Sequence, residues 1–75
     1  MTTDHPRITT NPGVKVGKPV ICGTRITVEL ILRLLGQGHT VAELAAGYKV
    51  DREDILACQS YAADVLAERN PVAAE

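Results

Sequence analysis

The chain has 75 residues and a formal net charge of −1, and this charge by itself favours no class of partner. It lacks an apolar run long enough to cross a bilayer and an N-terminal signal peptide, so we expect a cytoplasmic protein. A single domain of this size, without Trp or Phe, buries only about 60% of the surface of its unfolded chain, so we expect a homodimer whose interface supplements a small core.

Residues 7–26 are predicted to form a short β-hairpin and turn. Ile8-Thr9-Thr10 is a β-branched triplet, Asn11-Pro12-Gly13 is a turn signal, and Val14-Lys15-Val16 is predicted to extend again. After a second turn, Val20-Ile21 favours a short edge strand. An isolated hairpin is barely stable in water, so these strands are expected to pack on helices or to pair with a second chain.

Residues 27–70 are predicted to form three helices. The first runs from about Thr27, whose hydroxyl is expected to cap it, to about Gln37. It is apolar nearly all round except for one polar stripe, formed by Glu29, Arg33 and Gln37. This pattern is typical of a central helix that is buried on several sides.

The second and third helices have clear start signals. Thr40 and Glu43 fit a capping box at the start of the second helix. Asp51 is a good N-cap for a third helix from Arg52 to about Arg69, which Asn70-Pro71 is expected to stop. The inner stripe of the third helix is predicted to consist of Ile55, Cys58, Ala62 and Val65.

The predicted fold is therefore mainly α, with a short N-terminal hairpin and three helices in a single domain over residues 1–75. A short helix, a tight connection and a longer helix, all packed on a preceding apolar helix, form the layout of a helix-turn-helix. Three-helix units of this kind also serve purely as packing or dimerisation modules. The layout alone therefore leaves DNA binding open.

Charge is distributed unevenly along the chain. Residues 1–25 carry four cations and one carboxylate, whereas residues 51–75 carry two cations and six carboxylates. A basic front can approach phosphates, and the candidate nucleic-acid-binding residues are Arg7, Lys15, Lys18, Arg25 and Arg52. The alternative is that Lys18 and Arg25 solvate a turn or bind the carboxylates of the third helix across the fold. Arg25 is the residue most expected to make a fixed structural bond.

The acidic third helix suits a protein partner with a basic surface. Its candidate partner-binding residues are Glu53, Asp54, Asp64 and Glu68. Three carboxylates in residues 51–54 oppose docking of this helix into a DNA major groove, and they are also explained by favourable interaction with the helix N-terminus. Only Arg52 and Gln59 are positioned there to read bases.

No enzymatic site is predicted. Cys22 beside a cation, with His5 or His39 as a base, would suit a thiol nucleophile, but a core role for a small thiol is favoured. The stretch from Gly13 to Pro19 lacks the spacing of a phosphate-binding loop. No Cys/His set has the spacing of a zinc site, so we expect no metal, no cofactor and two reduced cysteines, one of them Cys58 in the core.

The sequence G-K-P-V-I-C-G-T-R-I-T-V at residues 17–28 resembles the signature "GkPvixGTRixV" of a small bacterial domain-of-unknown-function family. The resemblance extends over roughly residues 7–66. It implies a homeodomain-like helix-turn-helix preceded by a β-hairpin, an antitoxin-like role, and pairing with a PIN-like ribonuclease toxin.

The resemblance and the charge distribution give a leading hypothesis. An acidic third helix covers the basic rim of the ribonuclease, and the basic hairpin binds operator DNA as a dimer. The residues expected to face the toxin are Asp51, Glu53, Asp54, Asp64 and Glu68. Only five residues follow Asn70, so the folded domain is expected to make the contact.

Two alternatives belong to other classes of protein. One is a homodimeric structural adaptor that pairs through its hairpin and first helix and binds no nucleic acid. The other is a thiol-dependent enzyme at Cys22, which an unperturbed thiol titration would dismiss.

Overall fold

The computed structural model describes residues 5–69, which form two short strands and three α-helices. In chain order these are β1 (Ile8–Thr9), β2 (Val20–Ile21), α1 (Val28–Gly36), α2 (Val41–Tyr48) and α3 (Arg52–Arg69). The fold is therefore mainly helical with a short antiparallel hairpin near the N-terminus, as predicted. The predicted stop at Asn70-Pro71 lies outside the described residues. Among the helices described, none is long and apolar enough to span a membrane.

The strands pair within one chain. Ile8 faces Ile21 and Thr9 faces Val20 in antiparallel register, and Val20 forms a second bridge with Thr27 on its other side. The expectation of an edge strand at β2 is therefore wrong, because the chain returns after a turn and covers the free edge. Both β2 side chains are also buried, with 2% and 1% of their surface exposed, and Ile21 packs in the core cluster.

The segment between the strands does not extend as predicted. Asn11 forms a bridge with Val14 across the expected turn. The chain then makes a single 3-10 turn in which Lys15, Val16 and Gly17 have positive φ angles of 51°, 56° and 80°. The prediction of an extended segment here is wrong, because this left-handed turn carries the chain back towards β2.

The predicted caps of α1 and α2 are present. The Thr27 hydroxyl accepts a hydrogen bond from the N–H of Leu30 at 3.0 Å, which caps α1. At α2, the Thr40 hydroxyl accepts from the N–H of Glu43, while the Glu43 carboxylate accepts from the N–H of Thr40. This reciprocal pair is the predicted capping box, and it satisfies two amides that have no partner within the helix.

A compact apolar cluster joins the three helices to the hairpin. Its buried members in the described chain are Ile21, Val28, Ile31, Leu44, Ile55 and Cys58. Val20, the neighbour of Ile21 on β2, is also buried. Helix α3 packs against α1, α2 and β1 and is therefore central to the fold. Of the predicted inner stripe of α3, Ile55 and Cys58 lie in this core, whereas Ala62 and Val65 are only partly covered.

Candidate functional site

An ion pair joins the N-terminal segment to the start of α3. The Arg7 Nη1 atom lies 3.0 Å from Asp54 Oδ1 and 3.5 Å from Asp51 Oδ2. The hydrogen bond with Asp54, followed by the charges of both carboxylates, raises the pKa of Arg7. A candidate DNA-binding residue and a candidate partner-binding residue are thus bound to each other. With only 14% of its side chain exposed, Asp54 is largely covered.

A second charged cluster lies on α1. Glu29 binds Lys18 through Oε1 at 3.0 Å and Arg33 through Oε2 at 2.9 Å. These contacts lower the pKa of Glu29, with the hydrogen bond from Lys18 as the largest cause. Lys18 therefore binds a carboxylate, as in the structural alternative, but the carboxylate lies on α1 and not on the third helix, so the expected partner is wrong.

His5 connects the N-terminal segment to the second half of α3. Its Nε2 atom lies 2.7 Å from Asp64 Oδ2, and its ring packs edge-on against Tyr61 with centroids 5.8 Å apart. Half of the Asp64 side chain remains exposed, so this carboxylate can still face a partner. The contact was missed in the sequence because His5 and Asp64 are 59 residues apart.

Three of the candidate DNA-binding cations form no ion pair within residues 5–69: Lys15, Arg25 and Arg52. All three are exposed. Lys15 lies in the turn before β2, whereas Arg25 follows the turn after β2, so the two occupy opposite ends of the hairpin. The bond expected at Arg25 is not present among the described contacts.

The two remaining acidic candidates, Glu53 and Glu68, are exposed on α3. They are separated by fifteen positions, which corresponds to about 22 Å along a helix axis at 1.5 Å per residue. The predicted partner-binding set is therefore spread along the helix and does not form one compact patch.

A broad groove of about 770 Å³ runs between α1 and α3. Its lining residues are Pro19, Val28, Glu29, Leu32, Arg33, Tyr61, Ala62, Val65 and Leu66. The lining is mostly apolar, and Leu66, a large apolar residue, is 61% exposed. This groove was not predicted from the sequence. The four-residue spacing of Ala62 and Leu66 indicates a shared helix face, but the opposing wall on α1 is known only once the helices are placed.

Neither thiol is hydrogen-bonded to a histidine in the described part of the chain, and the core role favoured for Cys22 is wrong because its side chain is exposed. Cys22 is exposed and donates a hydrogen bond from Sγ to the Pro6 carbonyl at 3.2 Å. Cys58 is a free, buried thiol, and burial raises its pKa to about 11. Within residues 5–69, no group of three His, Cys, Asp or Glu side chains is suited to hold a metal ion.

The comparisons with known proteins agree on the family. Residues 8–62 match the family described as "Protein of unknown function (DUF433)". The crystal structure of a DUF433 member protein from Anabaena variabilis ATCC 29413 is similar, with 33% sequence identity and a TM-score of 0.70. The match covers 91% of this chain and 63% of that chain, so this chain spans less than two thirds of its relative's length. A comparison with curated proteins gives no match. The chain belongs to the DUF433 family, which confirms the resemblance seen at residues 17–28.

Proposed function

We propose that the chain is an antitoxin-like binding protein that neutralises a PIN-like ribonuclease toxin and binds operator DNA as a dimer through a homeodomain-like helix-turn-helix. The observation that carries this proposal is the connection between α2 and α3. Lys49 adopts the left-handed conformation (φ 59°, ψ 45°), and the N–H of Val50 donates to the carbonyl of Ala45 at 3.0 Å. A three-residue turn of this kind between two packed helices is typical of the motif.

The ion pair of Arg7 makes docking of α3 on DNA more favourable than its sequence suggests. The first turn of this helix carries Asp51, Glu53 and Asp54, which repel phosphates. Arg7 binds two of these carboxylates and offsets their charge. Arg52 lies exposed in the same turn, where the N-terminus of a recognition helix contacts base edges. Lys15 and Arg25 would then contact phosphates beside the groove.

The toxin would be bound by the exposed carboxylates of α3. Nuclease sites bind phosphate, so their rims are usually basic and attract carboxylates. Glu53, Asp64 and Glu68 are exposed and can make such contacts, whereas Asp54 acts indirectly because it is covered by Arg7. The pairing with a ribonuclease rests on the family resemblance of residues 17–28.

The first test is a pull-down of the tagged chain from its native lysate, with and without nuclease treatment. The proposal predicts a stoichiometric small ribonuclease-like protein that stays bound after nuclease digestion. Recovery of DNA-dependent material alone would remove the toxin from the proposal and leave a plain regulator.

A pair of adjacent substitutions separates the two binding activities. Arg52→Ala is expected to weaken a gel shift of the DNA upstream of the coding region and to reduce its salt slope by about 1, with toxin capture unchanged. Glu53→Ala is expected to weaken toxin capture and to leave the DNA shift intact. If both variants lose both activities in parallel, the proposed division between the two residues is wrong.

A homodimeric adaptor without nucleic-acid binding remains the second candidate. The observation that favours it is that two of the five candidate cations, Arg7 and Lys18, are already paired with carboxylates of the same chain. This candidate predicts no salt-sensitive shift of duplex DNA even at low ionic strength, where an electrostatic complex is tightest.

A further inference from the structure

We infer that the groove between α1 and α3 is an interface with a second copy of this chain, paired about a two-fold axis. This inference identifies the surface through which the dimer of the proposed function would form. It rests on the proposed function only in assuming that the chain is a dimer. It holds equally for a DNA-binding protein and for the adaptor.

The floor of the groove is an apolar surface that the described chain leaves uncovered. Leu32 on α1 and Val65 on α3 are only partly buried, and Leu66 is 61% exposed. Tyr61 and Pro19 extend the same apolar surface. Covering these side chains with an apolar partner surface would remove them from water, which is favourable.

The charges along the groove identify the occupant. Glu29 and Arg33 border it one turn apart on α1, about 6 Å along the helix axis. A two-fold axis between them sets the two α1 helices antiparallel, with Glu29 of each copy facing Arg33 of the other. A partner surface of one charge sign would attract one of these residues and repel the other. A second copy satisfies both at once, as an isologous interface requires.

The existing bonds of these side chains leave room for this pairing. Each carboxylate oxygen of Glu29 accepts one hydrogen bond, Oε1 from Lys18 and Oε2 from Arg33, and each can accept a further bond. Arg33 uses one of its five N–H donors on Glu29. Both side chains are more than half exposed, at 53% and 63%, and so can reach a neighbour.

β2 offers no competing interface through strand pairing. β2 is bound by β1 on one side and by Thr27 on the other, so it has no free edge for a second chain. β1 packs against α3. Of the expected dimer through hairpin and first helix, this interface keeps α1 and Pro19 of the hairpin segment, and α3 adds the opposing wall.

The test uses two charge reversals in the full chain. Glu29→Arg leaves only cations along this edge, and Arg33→Glu places two carboxylates one turn apart on α1, beside Lys18. Each variant alone is expected to dimerise at least about tenfold more weakly than wild type, because like charges face each other across the axis. An equimolar mixture is expected to recover a heterodimer, because every facing pair is then of opposite charge.

Sedimentation equilibrium gives the masses, and circular dichroism checks that each variant is folded. Leu66→Ala is expected to weaken self-association about tenfold through lost apolar contact, independently of charge. Lys49→Glu is the matched control, a charge reversal away from the groove that is expected to leave the dimer unchanged.

Several outcomes would overturn the inference: a monomeric wild type, single reversals that dimerise like wild type, or a mixture that stays monomeric. A wild type that dimerises through the groove and shifts no DNA would instead remove the helix-turn-helix function and leave this interface standing.

Discussion

The helical unit and the N-terminal hairpin are stabilised by partly different interactions. The helices supply five of the seven buried residues and have side-chain caps at the starts of α1 and α2. The hairpin has two-residue strands whose residue Ile21 belongs to the same apolar cluster, and two exposed ion pairs add to this attachment, Arg7 on α3 and Lys18 on α1. The two regions share the apolar cluster and differ in these ion pairs, which salt weakens and which open locally at lower free energy.

The strongest way to break the helical unit is a cavity at its centre. Ile55 on α3 is fully buried and lies in the cluster that joins the helices. Ile55→Ala is expected to lower the free energy of unfolding by about 2–5 kcal/mol, a large part of the total for a chain of this size. Urea denaturation monitors it, and exposed Gln59→Ala on the same helix should stay within about 0.5 kcal/mol. Equal losses in both variants would contradict this account of the core.

Alkaline pH should destabilise the helical core through Cys58. Its pKa is about 11 in the folded chain and 9.0 ordinarily, so the folded state holds the thiol proton more tightly. The stabilisation is complete below the unfolded pKa and is lost as pH rises from about 9 to about 11, by roughly 2 kcal/mol.

The measurement is urea denaturation of wild type and Cys58→Ala across that pH range. At the lower end of this range the variant is less stable than wild type, because it lacks the buried sulfur atom. Its free energy of unfolding should nevertheless fall less steeply as pH rises. Exposed Cys22 is present in both proteins, so it does not affect the comparison. Parallel slopes would show that the Cys58 thiol is not held protonated by burial.

The same contrast explains which parts of the fold were predictable from the sequence. Helix boundaries depend on local signals, and Thr27 and the Thr40–Glu43 box act within their own helices. The segment after Val14 is β-branched and favours a strand, but a strand needs a free edge to join. Both edges of β2 are occupied, one by β1 and the other by Thr27, so the strand propensity of this segment was overruled.

The candidate site was predictable in its residue types but not in its pairing. Arg7 and Asp54 were each identified as surface charges, yet they bind each other across 47 positions of sequence. No periodicity connects residues that far apart. The groove was missed for the same reason, because Leu32 and Leu66 share a surface only after α1 and α3 have packed.

A smaller effect tests the junction between the two regions. Thr27 caps α1 through its hydroxyl while its backbone forms a bridge with Val20 of the hairpin. Thr27→Ala keeps the backbone and removes the cap, and is expected to cost about 1 kcal/mol in the free energy of unfolding. Thr27→Ser retains the hydroxyl and should recover most of it. A serine variant as unstable as the alanine variant would show that the methyl group, not the cap, is what matters.

The smallest predicted effect is a gain in stability at the tip of the hairpin. Val16 is β-branched, lies in the left-handed region (φ 56°, ψ 37°) and is 93% exposed, so it has backbone strain without compensating burial. Val16→Asn is expected to raise the free energy of unfolding by up to about 1 kcal/mol in urea denaturation, because Asn tolerates this conformation. Val16→Thr keeps the β-branch and removes apolar surface, so it should give no such gain. If Asn and Thr stabilise equally, exposure rather than strain is responsible. If neither does, the turn is not left-handed in solution, and the hairpin tip is closer to the extended strand that its sequence favours.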